Sequence, residues 1–586
     1  MAQMSLGAAV VSGAQEDPFL TGVLDIAIFE SSQGPVLYTL TNLGGAGIGA
    51  WRPQSNGELV RFDFVVPFGA GQVGIVPQLE VMTLQGETVL GVLGGAEGIG
   101  LCTYALAGNG ALPATGNNPA DTALPVDTTA ASLSPMGASN PQQVLFGSRA
   151  GQGGLEMWKV GSDGTLFDQQ SLAADTSPGS QGMGLVALAT LQTETHSLLL
   201  AIADGEDALL SWQVGSDGMP SVADRIVVAD GLGIAAPSAL EIVAIGGRYF
   251  AVLAAFGSGS LSVIEISADG RLTPVDHVLD TTDTRFANVT RLEQARIGDA
   301  VYLAAAGSDD GLSVFRLLPD GRLLHQITLQ DSAAMNLADI TAMGFLGGND
   351  GLRLAVASED APGLTWLELA LDAAGVTRLG GAGDDTLTGG AGADILRDGA
   401  GIDTLTGGDG ADIFVLDLDG ALDVITDFQF GIDRIDLSSW TFFRSPAQLQ
   451  YTALENGIEL SFRDETLRIY SADSTPLTEA MIRSMDLTDL DRNLPAWMEE
   501  PEVDRRIIGG DADDSLQGDA QDNHMEGGAG DDILEGNEGD DILDGGTGAD
   551  RMIGGPGSDI FYVDDAGDRV GESRKWTGHD TVISSV

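Results

Sequence analysis

From about residue 20 to residue 378 the chain alternates short apolar runs with polar breaks. Runs such as YFAVLAAF from Tyr249 and VYLAAA from Val301 are rich in Val, Ile, Leu and Ala. None carries the 3.6-residue periodicity of an amphipathic helix, so they read as strands. Each run is followed by a Gly-containing break, a second run and a tight turn. The turns are Asn56-Gly57, Asn109-Gly110, Asp163-Gly164, Asp217-Gly218, Asp269-Gly270, Asp320-Gly321 and Ala374-Gly375. Their glycines lie 53, 54, 54, 52, 51 and 54 residues apart. Asn-Gly and Asp-Gly between alternating apolar runs are strong hairpin signals. Four short strands per unit, repeated seven times, predict a seven-bladed β-propeller. The last unit has only a stub after Gly375, so residues from about Ser5 to Gly13 are expected to supply its outer strand and close the ring.

The period then changes. From Gly380 the chain reads GGAGDDTLT, GGAGADILR, DGAGIDTLT and GGDGADIFV. From Gly509 it reads GGDADDSLQ, GDAQDNHME, GGAGDDILE, GNEGDDILD, GGTGADRMI and GGPGSDIFY. An apolar residue recurs at the eighth position of each nonapeptide, as at Leu387, Leu396, Leu405 and Phe414. A disordered Gly/Asp linker would not keep that register. Glycine permits the sharp turns that aim backbone carbonyls inward. The carboxylate at position six is a hard oxygen ligand suited to calcium.

These nonapeptides resemble those of the hemolysin-type (RTX) family of secreted bacterial proteins. That resemblance implies a parallel β-roll in which turns on one side repeat every 18 residues with Ca2+ between them. It pairs Asp385 with Asp403 and Asp394 with Asp412. In the second block it pairs Asp514 with Asp532, Asn523 with Asp541, Asp532 with Asp550, and Asp541 with Asp559. Asn523 replaces a carboxylate, and its unit lacks two glycines. Further ligands implied, through main-chain carbonyls, are Gly381, Gly383, Gly390, Gly392, Gly408 and Gly410, then Gly528, Gly530, Gly546, Gly548, Gly555 and Gly557. Between the blocks, DVITDFQFGIDRIDLS (Asp423 to Ser438) resembles the segment that follows the repeats in serralysin-type C-terminal domains, which starts a small β-cap. Asp423, Asp427, Asp433 and Asp436 are either further ion ligands or solvated turn residues. Alternation in Gly457 to Asp473 reads as a hairpin, and Leu477 to Asp491 as one short helix.

The fold expected is all-β: a seven-bladed propeller (1–378), roll block 1 (379–415), cap and linker (416–508), roll block 2 (509–562) and a C-terminal flank (563–586). The formal net charge is −59, with 86 acidic and 27 basic residues. The second block alone holds 15 acids against Arg551. Without a counter-ion such carboxylates repel, so the roll is expected to fold when calcium binds. No basic stripe exists to neutralise phosphate, which argues against a nucleic-acid partner. No apolar stretch of about 18 residues is present, which argues against membrane insertion. The N-terminal residues lack a basic segment and long apolar run, so no cleavable signal is expected there. The resemblance implies the type I secretion machinery as partner and an extracellular, bacterial location. The closing GHDTVISSV resembles a phrase that often continues in this family, so truncation there is expected.

Chemistry in the propeller is sparse. Aligned on innermost strands, the units place Asp25, Glu80, Ser132, Leu185, Glu241, Asn288 and Asp339 at one position. Of these, Asp25, Glu80, Glu241 and Asp339 form a candidate channel site for a metal or for acid-base work; the alternative is polar residues facing a wet channel. His196, His277 and His325 stand at different places in their units and read as packing or surface residues. Cys102 is the one cysteine, which excludes an intramolecular disulfide framework, and it reads as core. Neither H-E-x-x-H nor G-x-S-x-G occurs, and no catalytic residue can be named. Two lysines, Lys159 and Lys575, do not suit the acylated pore-forming toxins of the family.

SVIEISADGRL and SVFRLLPDGRL also resemble lactonase-type seven-bladed propellers. The expectation is a secreted calcium-binding protein whose propeller binds a glycan, surface or protein partner, or serves in a surface matrix. The alternative is a secreted metal-dependent hydrolase, of lactonase, esterase or phosphatase type, with its site in the channel.

Overall fold

The computed structural model describes the chain apart from residues 1–3, 14–16, 42–46, 67–77, 85, 94–101, 114–127, 136–142, 150–151, 162–165, 173–183, 205–206, 228–231, 333, 349–350, 360–362, 373, 441–442, 444, 464, 489, 493–505, 511, 519–522, 538, 540, 558, 564, 572–580 and 585–586. Residues Met1–Pro495 pack as one unit and Ala496–Val586 as another.

The first unit opens with seven antiparallel sheets, the blades of a propeller. Their innermost strands are Val23–Ser31, Gln78–Leu84, Thr128–Pro135, Gly184–Gln192, Pro237–Ile245, Arg291–Ile297 and Ile340–Gly347. Met4–Gly13 pairs antiparallel with Gly363–Leu371 and is the outer strand of blade seven, so the first strand of the chain closes the ring as expected. Middle strands such as Arg248–Ala255 and Ala300–Ala306 are apolar on both faces because neighbouring blades cover both.

The repeating glycine has a packing reason. Gly57, Gly110, Gly270 and Gly321 sit at φ of 80°, 77°, 90° and 97°, where side chains other than glycine's are strained. Each also abuts a neighbouring blade: a Cβ on Gly321 would stand 2.7 Å from the Phe250 ring, and one on Gly110 2.7 Å from Val36. Gly164 lies outside the described residues. Gly375 departs from the expectation: it lies in Ala374–Leu379, which pairs parallel with Ala393–Arg397 and begins the first roll. The blade that lacked an outer strand had already taken one from the N-terminus.

An aspartate also links blades. Asp63, Asp224 and Asp276 each accept the next residue's amide and an amide of the following blade, from Leu112, Leu272 and Leu323 respectively.

The first roll has two parallel sheets, one running Ala374–Leu379, Ala393–Arg397, Ile413–Val415, Arg434–Asp436, the other Thr386–Ala391, Thr404–Asp409, Leu422–Phe428. The second sheet continues into Glu465–Ser471, which forms the expected hairpin with Gly457–Phe462. The cap packs Trp440, Phe443 and Phe462 into one aromatic cluster. Its helix is only Glu479–Arg483, capped by Thr478. Blade six docks on the roll: Leu318 and Leu324 pack with Ile395, Ile413 and Val415. Around this contact Arg397 pairs with Asp320 and with Asp417 at 2.7 Å, and Arg322 with Asp417 at 3.3 Å. After the cap, Asp491–Arg492 pairs with Val278–Leu279, adding a strand to blade five.

The second unit is a roll of two parallel sheets, from Arg506–Ile508 to Thr581–Ser584 and from Ser515–Gln517 to Arg569–Gly571. Its core among the described residues is built from both sheets, Met525, Leu543 and Phe561 from one and Leu534 and Met552 from the other.

Candidate metal centres and the propeller channel

The nonapeptide aspartates form ladders. The amide of Asp385 donates to Asp403 Oδ1 at 2.6 Å, and that of Asp394 to Asp412 Oδ1 at 2.9 Å. In the second unit Asp514, Asn523, Asp532 and Asp541 donate to the Oδ1 atoms of Asp532, Asp541, Asp550 and Asp559, all between 2.7 and 2.8 Å. Each pair joined by 18-residue spacing is thus in contact, Asn523 with Asp541 included.

One oxygen of each carboxylate is thereby used. The second oxygens of Asp403, Asp412 and Asp532 are buried and make no hydrogen bond, which is costly for an ionised group. The glycines form the surrounding cradle: a Cβ on Gly408 or Gly410 would run into the carbonyls of Gly390 and Gly392, and one on Gly546 or Gly548 into those of Gly528 and Gly530. Gly392, Gly408, Gly410, Gly528, Gly530, Gly546, Gly548, Gly555 and Gly557 hold positive φ. Gly381, Gly383 and Gly390 are in the same turns without it. Burial, then neighbouring carboxylates, raise Asp403 above the usual range and push Asp412 up to about 6. Buried hard oxygens, like charge and glycine-walled turns fit calcium.

The ladders run further than the repeats. Val376, in the first strand of the roll, where no nonapeptide is legible, donates to Asp394 Oδ1 at 2.5 Å. Asp403 donates to Asp423, Asp412 to Asp433 and Asp550 to Asp568. Asp568 stands 18 residues beyond Asp550, a signal present in the sequence. Asp427 accepts the amides of Gly407 and Gly408, whereas Asp436 accepts from Ser438 in a local turn.

In the propeller, a cavity of about 930 Å³ follows the central channel and is lined by Asp25, Glu80, Glu241, Arg291, Glu293 and Gln294 among others. Ser132 and Leu185 also line it. Asp339 does not. It is exposed, on a left-handed turn (φ 44°) ahead of the seventh innermost strand. Asn288 sits likewise at φ 50° and donates to Ser308. The acid that sequence alignment missed is Glu293. Innermost strands of blades one, four, five and seven carry a bulge near their start, whereas that of blade six pairs without one. A bulge shifts which residues face the channel.

Burial raises all four channel acids: Asp25 to about 6, Glu241 to about 7, Glu80 above its ordinary value and Glu293 well above. Neighbouring carboxylates add to the rise for Glu80, Glu241 and Glu293. Asp25 also links blades, accepting from Ile26 and from Leu79 at 2.6 Å. Gln294 donates to Glu241 at 2.6 Å. His196, His277 and His325 bond to Ala268, Ser262 and Thr328 and line no part of this cavity. The side chain of Cys102 lies outside the described residues.

Comparison with known proteins agrees with the roll. The family model described as RTX calcium-binding nonapeptide repeat (4 copies) matches residues 508–543 and 535–570. The model described as Peptidase M10 serralysin C terminal matches residues 367–482. No curated protein matches the chain. Among solved structures, the crystal structure of Chaetomium thermophilum Raptor is similar with a TM-score of 0.42 and 12% identity, over 63% of this chain and 29% of that one. The chain therefore spans under a third of that protein's length. A calcium-binding RTX roll and a serralysin-type C-terminal domain, which imply a secreted protein, here follow a seven-bladed propeller in the chain.

Proposed function

We propose that this protein leaves the cell by a type I channel, that its second roll folds on binding calcium outside, and that its propeller binds a glycan, surface or protein partner. The aspartates and glycines of the nonapeptides, Asp385 to Asp412 and Asp514 to Asp559, are its calcium ligands. The observation that carries this reading is the ladder itself: buried carboxylates stacked every 18 residues, some with an oxygen that no protein donor meets. Calcium compensates what the polypeptide leaves unsatisfied. Each site held at 100 times its dissociation constant adds about 2.7 kcal/mol to folding. The test is far-UV circular dichroism and hydrodynamic radius in chelator and in millimolar calcium. Strand signal should rise and radius should shrink with calcium; unchanged values reject the proposal.

A second reading rests on the channel. Glu241, held near neutrality in a cavity with Arg291 and Glu293, suits a general acid for ester, lactone or phosphate hydrolysis. It requires turnover of such substrates that Glu241→Gln abolishes.

A further inference from the structure

On one side of the first roll, each turn is answered by the next. Asp385 donates its amide to Asp403, and Asp403 donates to Asp423. No nonapeptide follows Asp423 to continue the series. The next strand in that sheet is Glu465–Ser471, from the cap hairpin, with Leu422 opposite Thr466. Its first residue, Glu465, takes up the ladder: Oε2 accepts the amides of Asp419 and Gly420 at 3.0 and 2.9 Å. Glu465 is fully buried, and its Oε1 meets no donor. Carboxylate oxygens of Asp419, Asp423 and Glu465 lie within 4.8 Å of one another.

We propose that Asp419, Asp423 and Glu465 hold one more calcium, at the seam where the first roll meets its cap, with Glu465 standing in for the aspartate of a repeat the chain lacks. The inference rests on the calcium reading of the rolls and extends it to a ligand that no repeat contains. Three carboxylates converge there with one orphaned oxygen at full burial, an arrangement that a divalent cation with oxygen preference satisfies. Burial and the charges of Asp423 and Asp419 push Glu465 up to about 7, consistent with charge that the fold leaves uncompensated. The ion would join residues 42 positions apart in sequence, Asp423 and Glu465, and so pin the hairpin to the last turn of the roll.

The test is calcium stoichiometry of the full chain by equilibrium dialysis, alongside hydrogen exchange in calcium. Glu465→Gln keeps an acceptor for Asp419 and Gly420 and removes the charge. It should bind one ion fewer than the parent and exchange faster across residues 419–428 and 465–471. Equal stoichiometry and unchanged exchange overturn the seam site while leaving the repeat sites standing. A parent that binds no calcium overturns both readings. Should Glu465→Gln fail to fold, judged by circular dichroism in calcium, Asp419→Asn on the half-buried side of the site is read for the same two outcomes.

Discussion

The two rolls use the same nonapeptide but stand on different supports. The first is flanked by blade six, whose Leu318 and Leu324 are buried against Ile395, Ile413 and Val415. It also shares one core with the cap, from Leu396 and Phe414 to Trp440 and Ile482. Among the described residues, the core of the second is smaller: Met525, Leu543 and Phe561 from one sheet and Leu534 and Met552 from the other, with Ile507, Leu516 and Val563 packed against them. A fully buried aliphatic side chain contributes about 1.5–3 kcal/mol, so the first roll cannot open without uncovering leucines of the propeller. On the proposed calcium reading, the ion would be one support among several for the first roll and the main one for the second. The same code would then yield a graded dependence on the ion because the apolar surroundings differ.

The largest effect should come from chelation followed by hydrogen exchange. Amides of residues 506–571 should lose protection, while those of residues 393–415 stay protected with the propeller. Equal loss in both blocks breaks the comparison. Next is Leu324→Ala, which deletes part of the contact between blade and roll and should cost about 2–5 kcal/mol. In chelator it should release exchange in residues 393–415, making the first roll behave as the second does. A loss of melting temperature without that release would mean the contact stabilises the blade alone.

The smallest effect concerns pH. Glu241 in the folded protein titrates near 7 against an ordinary 4.5, so the folded state holds a proton that the unfolded chain has released. Stability is then complete below about pH 4.5 and falls as pH rises towards 7. Glu241→Gln removes that loss. Its melting temperature in chelator should fall less than the parent's between pH 5 and pH 8. Identical slopes would place the pH response of the propeller elsewhere.

Repetition made the blades and the ladders legible, because a period repeats its own test. Gly321 and Asp403 could be placed from spacing alone. Glu293 could not, since a bulge present in some innermost strands is absent from its own and shifts the face by a residue. Glu465 could not either. It occupies the place of a sixth-position carboxylate but lies on a hairpin whose sequence has no nonapeptide character. Val376 marks the opposite end of the same problem, a ladder rung made by backbone with no motif around it.

Closure of the propeller by Met4–Gly13 against Gly363–Leu371 makes the ring a gauge of chain length. No chain stopping short of residue 371 offers the full edge that its first strand must meet. Until the two meet, that edge is open to the corresponding strand of any other copy.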